Sequence, residues 1–166
     1  MRILISLLLV GMLGIVGCDD DDVAEVVTYD PPIFLENVEF VATTNTPTVQ
    51  INRFVAANNM DTVMTSSSLV YEVLDAGGSE KPNSESQITA WFKGYTTDGV
   101  IFDQSASFPL TSELSGLFAC WREGVPKLGR GGKMWMLARP SLASNNNAPS
   151  NGSRVLVFEI ELIDFE

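Results

Sequence analysis

Apolar and polar residues alternate most regularly in the last stretch of the chain. Leu156, Phe158, Ile160 and Leu162 fall on one side of this stretch, and Val157, Glu159 and Glu161 fall on the other. Because successive side chains of a β-strand point to opposite faces of a sheet, the pattern predicts a strand with one face in a core. Residues 88–95 alternate in the same way, and this predicted strand ends in a turn at Gly94.

Shorter apolar stretches bounded by turn residues predict the remaining strands of the sheet. They lie at residues 68–74, 100–103, 108–111 and 133–139. One helix is predicted in this region, at residues 118–128, because Phe118, Trp121 and Val125 are three and four positions apart. A single helix across an antiparallel sheet of five to six strands is an α+β architecture.

Four segments are predicted along the chain, and the last is the folded domain. They are a lipoprotein signal peptide at residues 1–17, a lipidated cysteine with an acidic tether at 18–22, an N-terminal extension at 23–59 and the domain at 60–166. Within the extension, residues 33–41 predict a strand. Thr46 and Pro47 predict the start of a short helix, since threonine caps helices and proline suits the first helical position. Asn58 and Asn59 are predicted to end this helix.

The N-terminal leader indicates an extracytoplasmic protein held at a membrane. An apolar run after Arg2 is too short to span a membrane and is typical of a signal peptide. It ends in Ile15-Val16-Gly17-Cys18, which is typical of the site where bacteria cleave and lipidate the cysteine; an ordinary secretory signal is the alternative. The aspartates at 19–22 are either a solvated spacer or a sorting signal. We therefore expect lipid on Cys18 and a place in the cell envelope of a Gram-negative bacterium, at the outer membrane, with the cell surface as an alternative.

Charge and residue types exclude several classes of function. The chain has 21 acidic and 10 basic residues, a net charge of −11, which argues against a nucleic-acid partner. It contains no histidine, so histidine-based zinc sites and the Ser-His-Asp and Cys-His forms of catalysis are excluded. We expect no cofactor and no metal. With Cys18 lipidated, Cys120 is the one remaining thiol, interpreted as a small buried side chain rather than a reactive one.

A series of short motifs occurs in a fixed order from about residue 62 to the C-terminus. The motifs are Trp91-Phe92-Lys93-Gly94-Tyr95, Val100-Ile101-Phe102-Asp103, Trp121-Arg122-Glu123-Gly124, Gly131-Gly132-Lys133, Arg139-Pro140 and Leu156-Val157-Phe158-Glu159. In order and spacing, this set resembles the FK506-binding-protein (FKBP) type of peptidyl-prolyl cis-trans isomerase. The resemblance implies an antiparallel half-barrel sheet wrapped around one short helix. It also implies an enzyme that acts on X-Pro bonds of proline-containing peptides or unfolded envelope proteins.

In that family, an apolar hollow between the helix and the sheet receives the proline ring. Carried over residue by residue, the resemblance implies catalytic roles for Phe102, Asp103, Trp121 and Phe158, and substrate binding by Phe92, Phe108, Leu117, Phe118 and Ser144. Trp121 is expected to form the floor of the hollow. Asp103 is expected at its rim, where relatives use it to hold nearby groups in place.

Two positions depart from the family pattern. Phe92 and Ser144 stand where relatives carry tyrosines, and the second tyrosine normally donates a hydrogen bond to a substrate carbonyl. Losing one neutral hydrogen bond costs on the order of 1 kcal/mol, so a weaker activity is expected. The alternative function belongs to another class: a binding or chaperone lipoprotein that holds proline-containing segments without fast turnover.

The side of the sheet that faces away from the hollow is predicted to carry an apolar patch. The side chains directed there by alternation are Trp91, Trp135, Leu137 and Val157. Contiguous apolar patches on a protein surface usually mark an interaction. We expect the extension to cover this one, with Phe34, Val38 and Phe40 lying over it; a subunit interface is the alternative.

Overall fold

Seven antiparallel strands form one sheet in the computed structural model, which describes residues 46–143 and 154–166. In chain order the elements are α1 (Pro47–Ala57), β1 (Val63–Met64), β2 (Val70–Asp75), β3 (Gln87–Thr96), β4 (Ile101–Gln104), β5 (Leu110–Glu113), α2 (Ala119–Gly124), β6 (Lys133–Ala138) and β7 (Leu156–Phe165). The strands lie in the order β1-β2-β6-β7-β3-β4. β4 pairs with the second half of β3, and β5 pairs with its first half.

The predicted α+β architecture is confirmed, with one strand more than expected. All six predicted strands are present as β2 to β7, with shifted ends. The extra strand, β1, has two residues, too few to show an alternating pattern. β5 begins after Pro109 and leaves Phe108 in the preceding loop. Proline lacks the N–H that a strand ladder requires, which accounts for this start.

The front face of the sheet carries the larger of two buried clusters, and α2 packs against it. From β7 it contains the four residues predicted to share one face, Leu156, Phe158, Ile160 and Leu162, each no more than 2% exposed. α2 adds Cys120 and Trp121 to the same cluster. The alternation in the sequence therefore identified the core side of β7.

α2 is shorter than the predicted helix at residues 118–128. It spans six residues and is followed by a 3₁₀ turn at Val125–Lys127. Pro126 accounts for the early end, because proline cannot donate the hydrogen bond that would continue the α-helix. Gly124 lies so close to β6 that a Cβ there would overlap the sulfur of Met136. This close approach holds the short helix against the sheet.

The back face of the sheet is covered by α1. The helix starts where predicted, with Thr46 as its N-cap accepting a hydrogen bond from the Val49 N–H (3.4 Å), and it ends at the C-cap Asn58. Its buried side chains Ile51 and Phe54 are 4% and 0% exposed. No helix among the described residues is long and apolar enough to cross a membrane.

The apolar patch predicted on the back face is present, and α1 covers most of it. Ile51 and Phe54 of α1 pack there with Val70, Tyr95, Trp135, Leu137, Val155 and Val157. Phe34, Val38, Phe40 and the predicted strand at 33–41 lie outside the described residues, so the cover seen here comes from a different part of the extension. Trp91 is not in this cluster and is only partly buried.

Candidate functional site

Five aromatic rings meet where α2 packs on β7; we call them the ring cluster. They are Phe92, Phe102, Phe118, Trp121 and Phe158. Phe158 lies at the centre, with its ring centroid 5.6 Å from Phe102, 5.8 Å from Phe118 and 5.9 Å from Trp121. Phe92 meets Trp121 edge-on, at 5.3 Å between centroids. Edge-to-face contacts are a preferred arrangement of aromatic pairs, so the cluster is a packed unit.

The rings of the ring cluster differ in their exposure to solvent. Trp121 and Phe158 are 2% and 1% exposed, whereas Phe102 is 41% exposed. Phe92 and Phe118 are intermediate. The indole N–H of Trp121 is buried and has no hydrogen-bond partner within residues 46–143 and 154–166. The rings therefore form an apolar surface with a buried base and a solvent-facing edge.

Gly94 explains how Phe102 reaches the cluster. In the sheet, Gly94 of β3 pairs with Asp103 on one side and with Phe158 on the other. A Cβ at Gly94 would lie 2.5 Å from Cζ of Phe102, so the ring lies directly over the glycine. The sequence interpretation of Gly94 as a turn is wrong, because it lies inside β3. A lone glycine within a strand pattern often marks such a close approach, and this was the available signal.

The segment before α2 contains Leu117, which packs against the front-face core, and Phe118, which belongs to the ring cluster. The Leu117 N–H donates to the Leu114 carbonyl (3.1 Å), which closes a 3₁₀ turn at Leu114–Gly116. Arg122, on α2, donates from Nη1 to the Leu117 carbonyl (2.6 Å). The sequence gives no signal for this contact, because Arg122 is exposed and its partner is backbone.

Two ionisable side chains lie close to the ring cluster in the chain: Cys120 precedes Trp121, and Asp103 follows Phe102. Burial raises the pKa of the Cys120 thiol to about 12, so this thiol stays protonated at neutral pH. The predicted small buried thiol is confirmed, since Cys120 is free and 0% exposed. Asp103 is exposed on β4, and its carboxylate accepts from the Gln104 N–H at 2.9 Å. The arrangement suits binding of an apolar group rather than proton transfer or nucleophilic attack.

Not every predicted site residue joins the ring cluster. Leu117 packs against the front-face core together with Phe92 and Phe118. Phe108 is 82% exposed and lies outside the cluster, in the loop before β5. Ser144 and Cys18 lie outside the described residues. The roles assigned to all of these residues stay predictions.

Comparison with known proteins identifies the family. The sequence profile described as FKBP-type peptidyl-prolyl cis-trans isomerase matches residues 78–163, more than half of the chain. The chain belongs to this family. The matched region runs from the loop before β3 into β7 and contains all five rings of the cluster.

Curated relatives of this FKBP-type chain are longer than it is. FkpA of Escherichia coli K12, named an FKBP-type peptidyl-prolyl cis-trans isomerase, is 35% identical over 105 residues, which cover 60% of this chain and 38% of FkpA. FkpA of Buchnera aphidicola subsp. Acyrthosiphon pisum is 35% identical over 106 residues, 60% of this chain and 43% of that protein. The chain thus spans about two fifths of the length of these curated relatives.

Solved structures share the fold of this chain. The crystal structure of E. coli FkpA superposes with a TM-score of 0.64 at 30% identity, covering 72% of this chain and 57% of that one. A peptidyl-prolyl cis-trans isomerase from Pseudomonas syringae pv. tomato superposes with a TM-score of 0.63 at 22% identity, covering 72% of this chain and 90% of that one. The second likeness supports the fold alone.

Proposed function

We propose that the chain is a peptidyl-prolyl cis-trans isomerase that binds X-Pro segments against the ring cluster. The observation that carries the proposal is the graded burial of the cluster, with Trp121 at its base and Phe102 41% exposed at its edge. A proline ring is apolar and rigid, so a hollow walled by aromatic rings binds it by burial of apolar surface. Family membership supports the same assignment.

The reaction needs no acid, base or metal from the protein. Rotation about the X-Pro amide is opposed by resonance, with a barrier of ~18–20 kcal/mol, and takes ~10–100 s uncatalysed. At the twisted transition state the carbonyl loses its polar resonance form. An apolar site therefore stabilises the twisted amide relative to the planar one, which is differential binding of the transition state.

Each catalytic residue has a place in this scheme. Trp121 is the floor beneath the proline ring, while Phe102 and Phe158 are the walls that fix it as the preceding carbonyl turns. Asp103 stands at the rim, on β4, and holds nearby groups in place. The substrate-binding residues of this proposal are Phe92, Phe108, Leu117, Phe118 and Ser144.

A peptide exchange experiment tests the proposal. The full chain in mild detergent is mixed with a short X-Pro peptide, and cis-to-trans exchange is followed by NMR. Replacing Phe102 by Ala removes a wall worth ~1.5–3 kcal/mol of apolar burial, which predicts a loss of kcat/KM of about tenfold or more. Folding should change little because the ring is 41% exposed.

The matched control is Phe165→Ala, which removes a phenylalanine from the far end of β7. It should keep most of the exchange rate. No acceleration by the wild-type chain, with the sheet folded, would refute the isomerase.

A binding protein without fast turnover is the second candidate function. Phe108 favours it, because an aromatic side chain that is 82% exposed offers apolar contact to an unfolded segment. The two functions differ in the Phe102→Ala variant. An isomerase loses turnover well beyond any loss of peptide affinity, whereas a pure binder loses affinity alone.

We also propose that lipid on Cys18 holds the domain in the cell envelope, with the acidic tether at residues 18–22 between the lipid and the N-terminal extension. A single acyl chain anchors only marginally, so several chains on one cysteine are needed for stable attachment. Growing cells with a labelled fatty acid should label the wild-type chain and not Cys18→Ser. Equal label in both would exclude this anchor.

A further inference from the structure

Two side chains of α1 form hydrogen bonds with the residues at the two ends of the connection between β6 and β7. Arg139 follows β6, and its Nη2 donates to Oγ1 of Thr48 (3.1 Å). Val155 precedes β7, and its backbone N–H donates to Oε1 of Gln50 (3.1 Å). Both Gln50 and Val155 are buried, at 2% and 0% exposed. These polar contacts of α1 are made in addition to its apolar packing on the back face.

The first end of this connection reaches α2 on the other side of the sheet. The Arg139 carbonyl accepts from the N–H groups of Leu142 (2.9 Å) and Ala143 (3.1 Å), which makes a tight turn. That turn presents the Leu142 carbonyl to the Cys120 N–H, at 3.0 Å. Ala143, 1% exposed, belongs to the same buried front cluster as Cys120. The turn at residues 139–143 is therefore packed against α2.

The contact from Leu142 matters because α2 lacks a side-chain cap. The N-cap position is Phe118, which makes no side-chain hydrogen bond to the helix. The first N–H groups of a helix have no partner inside the helix, and a buried N–H left unpaired is costly. Leu142 supplies that partner for Cys120, the residue next to Trp121. A shift of the turn would thus move the floor of the ring cluster.

We infer that α1 helps to position the elements that carry the isomerase site, and that Thr48 and Gln50 are the positioning residues. Through Arg139, Thr48 holds the turn at residues 139–143, and through the Leu142 carbonyl that turn holds the start of α2. Through the Val155 N–H, Gln50 holds the start of β7, the strand that carries Phe158. The kinetic part of this inference rests on the proposed isomerase function.

The test uses the full chain in mild detergent with four variants. Thr48→Val removes an exposed hydroxyl and should not impair folding, while Thr48→Ser keeps that hydroxyl as a matched control. Gln50→Met removes the buried acceptor at similar size. Misplacing a site by 1 Å costs up to about 100-fold, and for Thr48→Val and Gln50→Met we expect kcat/KM to fall about threefold to tenfold, mainly in kcat. Thr48→Ser should restore the wild-type value.

A second readout does not depend on activity. Hydrogen exchange of the Cys120 amide should become faster in Thr48→Val, because the Leu142 carbonyl is held less firmly. Phe54→Leu loosens the apolar packing of α1 without touching either hydrogen bond. It should lower stability while leaving kcat/KM as in the wild type, and the Cys120 amide should exchange faster only by the factor that the lower global stability accounts for.

The outcomes separate the two proposals. Unchanged kcat in both Thr48→Val and Gln50→Met, with unchanged Cys120 exchange in Thr48→Val, would overturn the positioning role. An equal loss of kcat in Phe54→Leu would also overturn it, because general loosening of α1 would then suffice. If the wild-type chain is inactive, the isomerase proposal fails, and faster Cys120 exchange alone would still establish the coupling between α1 and α2.

Discussion

Gly94 lies inside β3, where a glycine weakens a strand because it has no side chain to pack. Its advantage here is steric. The ring of Phe102 occupies the space above it, with Cε1 and Cε2 3.0 Å and Cζ 2.5 Å from the position of a Cβ. The glycine makes the strand locally less stable, but it leaves room for Phe102 to lie against Phe158 at the edge of the ring cluster.

Gly94→Ala is expected to displace Phe102 rather than to unfold the sheet. The ring is 41% exposed and can rotate into solvent, so the stability cost should stay within about 1–3 kcal/mol. Loss of the wall should lower kcat/KM about as much as Phe102→Ala does, and the double variant should be no worse than either single one. Exchange kinetics and urea unfolding measure the two effects.

Gly78→Ala is the control for that change. A Cβ at Gly78 makes only ordinary contacts, at 3.7 and 3.8 Å to Arg130, so turnover should not change. Additive losses from Gly94→Ala and Phe102→Ala would show that Gly94 acts on the site by some route other than Phe102.

At the scale of elements, the strands were predictable because each carries its own pattern. β3 and β7 carry alternating apolar positions, at residues 88–92 and 156–162, so their core faces can be identified without any knowledge of partners. Helix α1 was predictable from its ends, at Thr46 and Asn58. The end of α2 was not, because apolar spacing continues through Val125, which is buried in the core although it lies in a 3₁₀ turn. Burial and helical geometry coincide along most helices but separate there.

The candidate site was predictable to a lesser extent than the strands that carry it. The order of motifs indicated the five rings that the fold brings together. Contacts made through backbone atoms were not predictable, since Arg122 reaches the Leu117 carbonyl and Cys120 reaches the Leu142 carbonyl. Such partners leave no residue-type signature. They depend on how distant segments pack, which a single sequence does not display.

At the scale of the whole molecule, the described residues form one buried core on each face of the sheet. The front core supports the ring cluster, while the back core joins α1 to β2, β6 and β7 through residues such as Val70, Trp135 and Val157. Both cores share the same strands, so side chains alternate between them along β6 and β7. Loss of either core should therefore weaken the whole sheet rather than one half of it.

Phe54→Ala tests this dependence. Phe54 is 0% exposed at the centre of the back core, and truncating a buried phenylalanine typically costs ~3–5 kcal/mol, so the midpoint of urea unfolding should fall sharply. Arg53→Ala, an exposed change on the same helix, should alter stability by less than about 0.5 kcal/mol. If unfolding is cooperative, the tryptophan fluorescence, which includes Trp121 in the front core and Trp135 in the back core, should change in a single transition. Two transitions would show that α1 and the back core unfold independently of the front core.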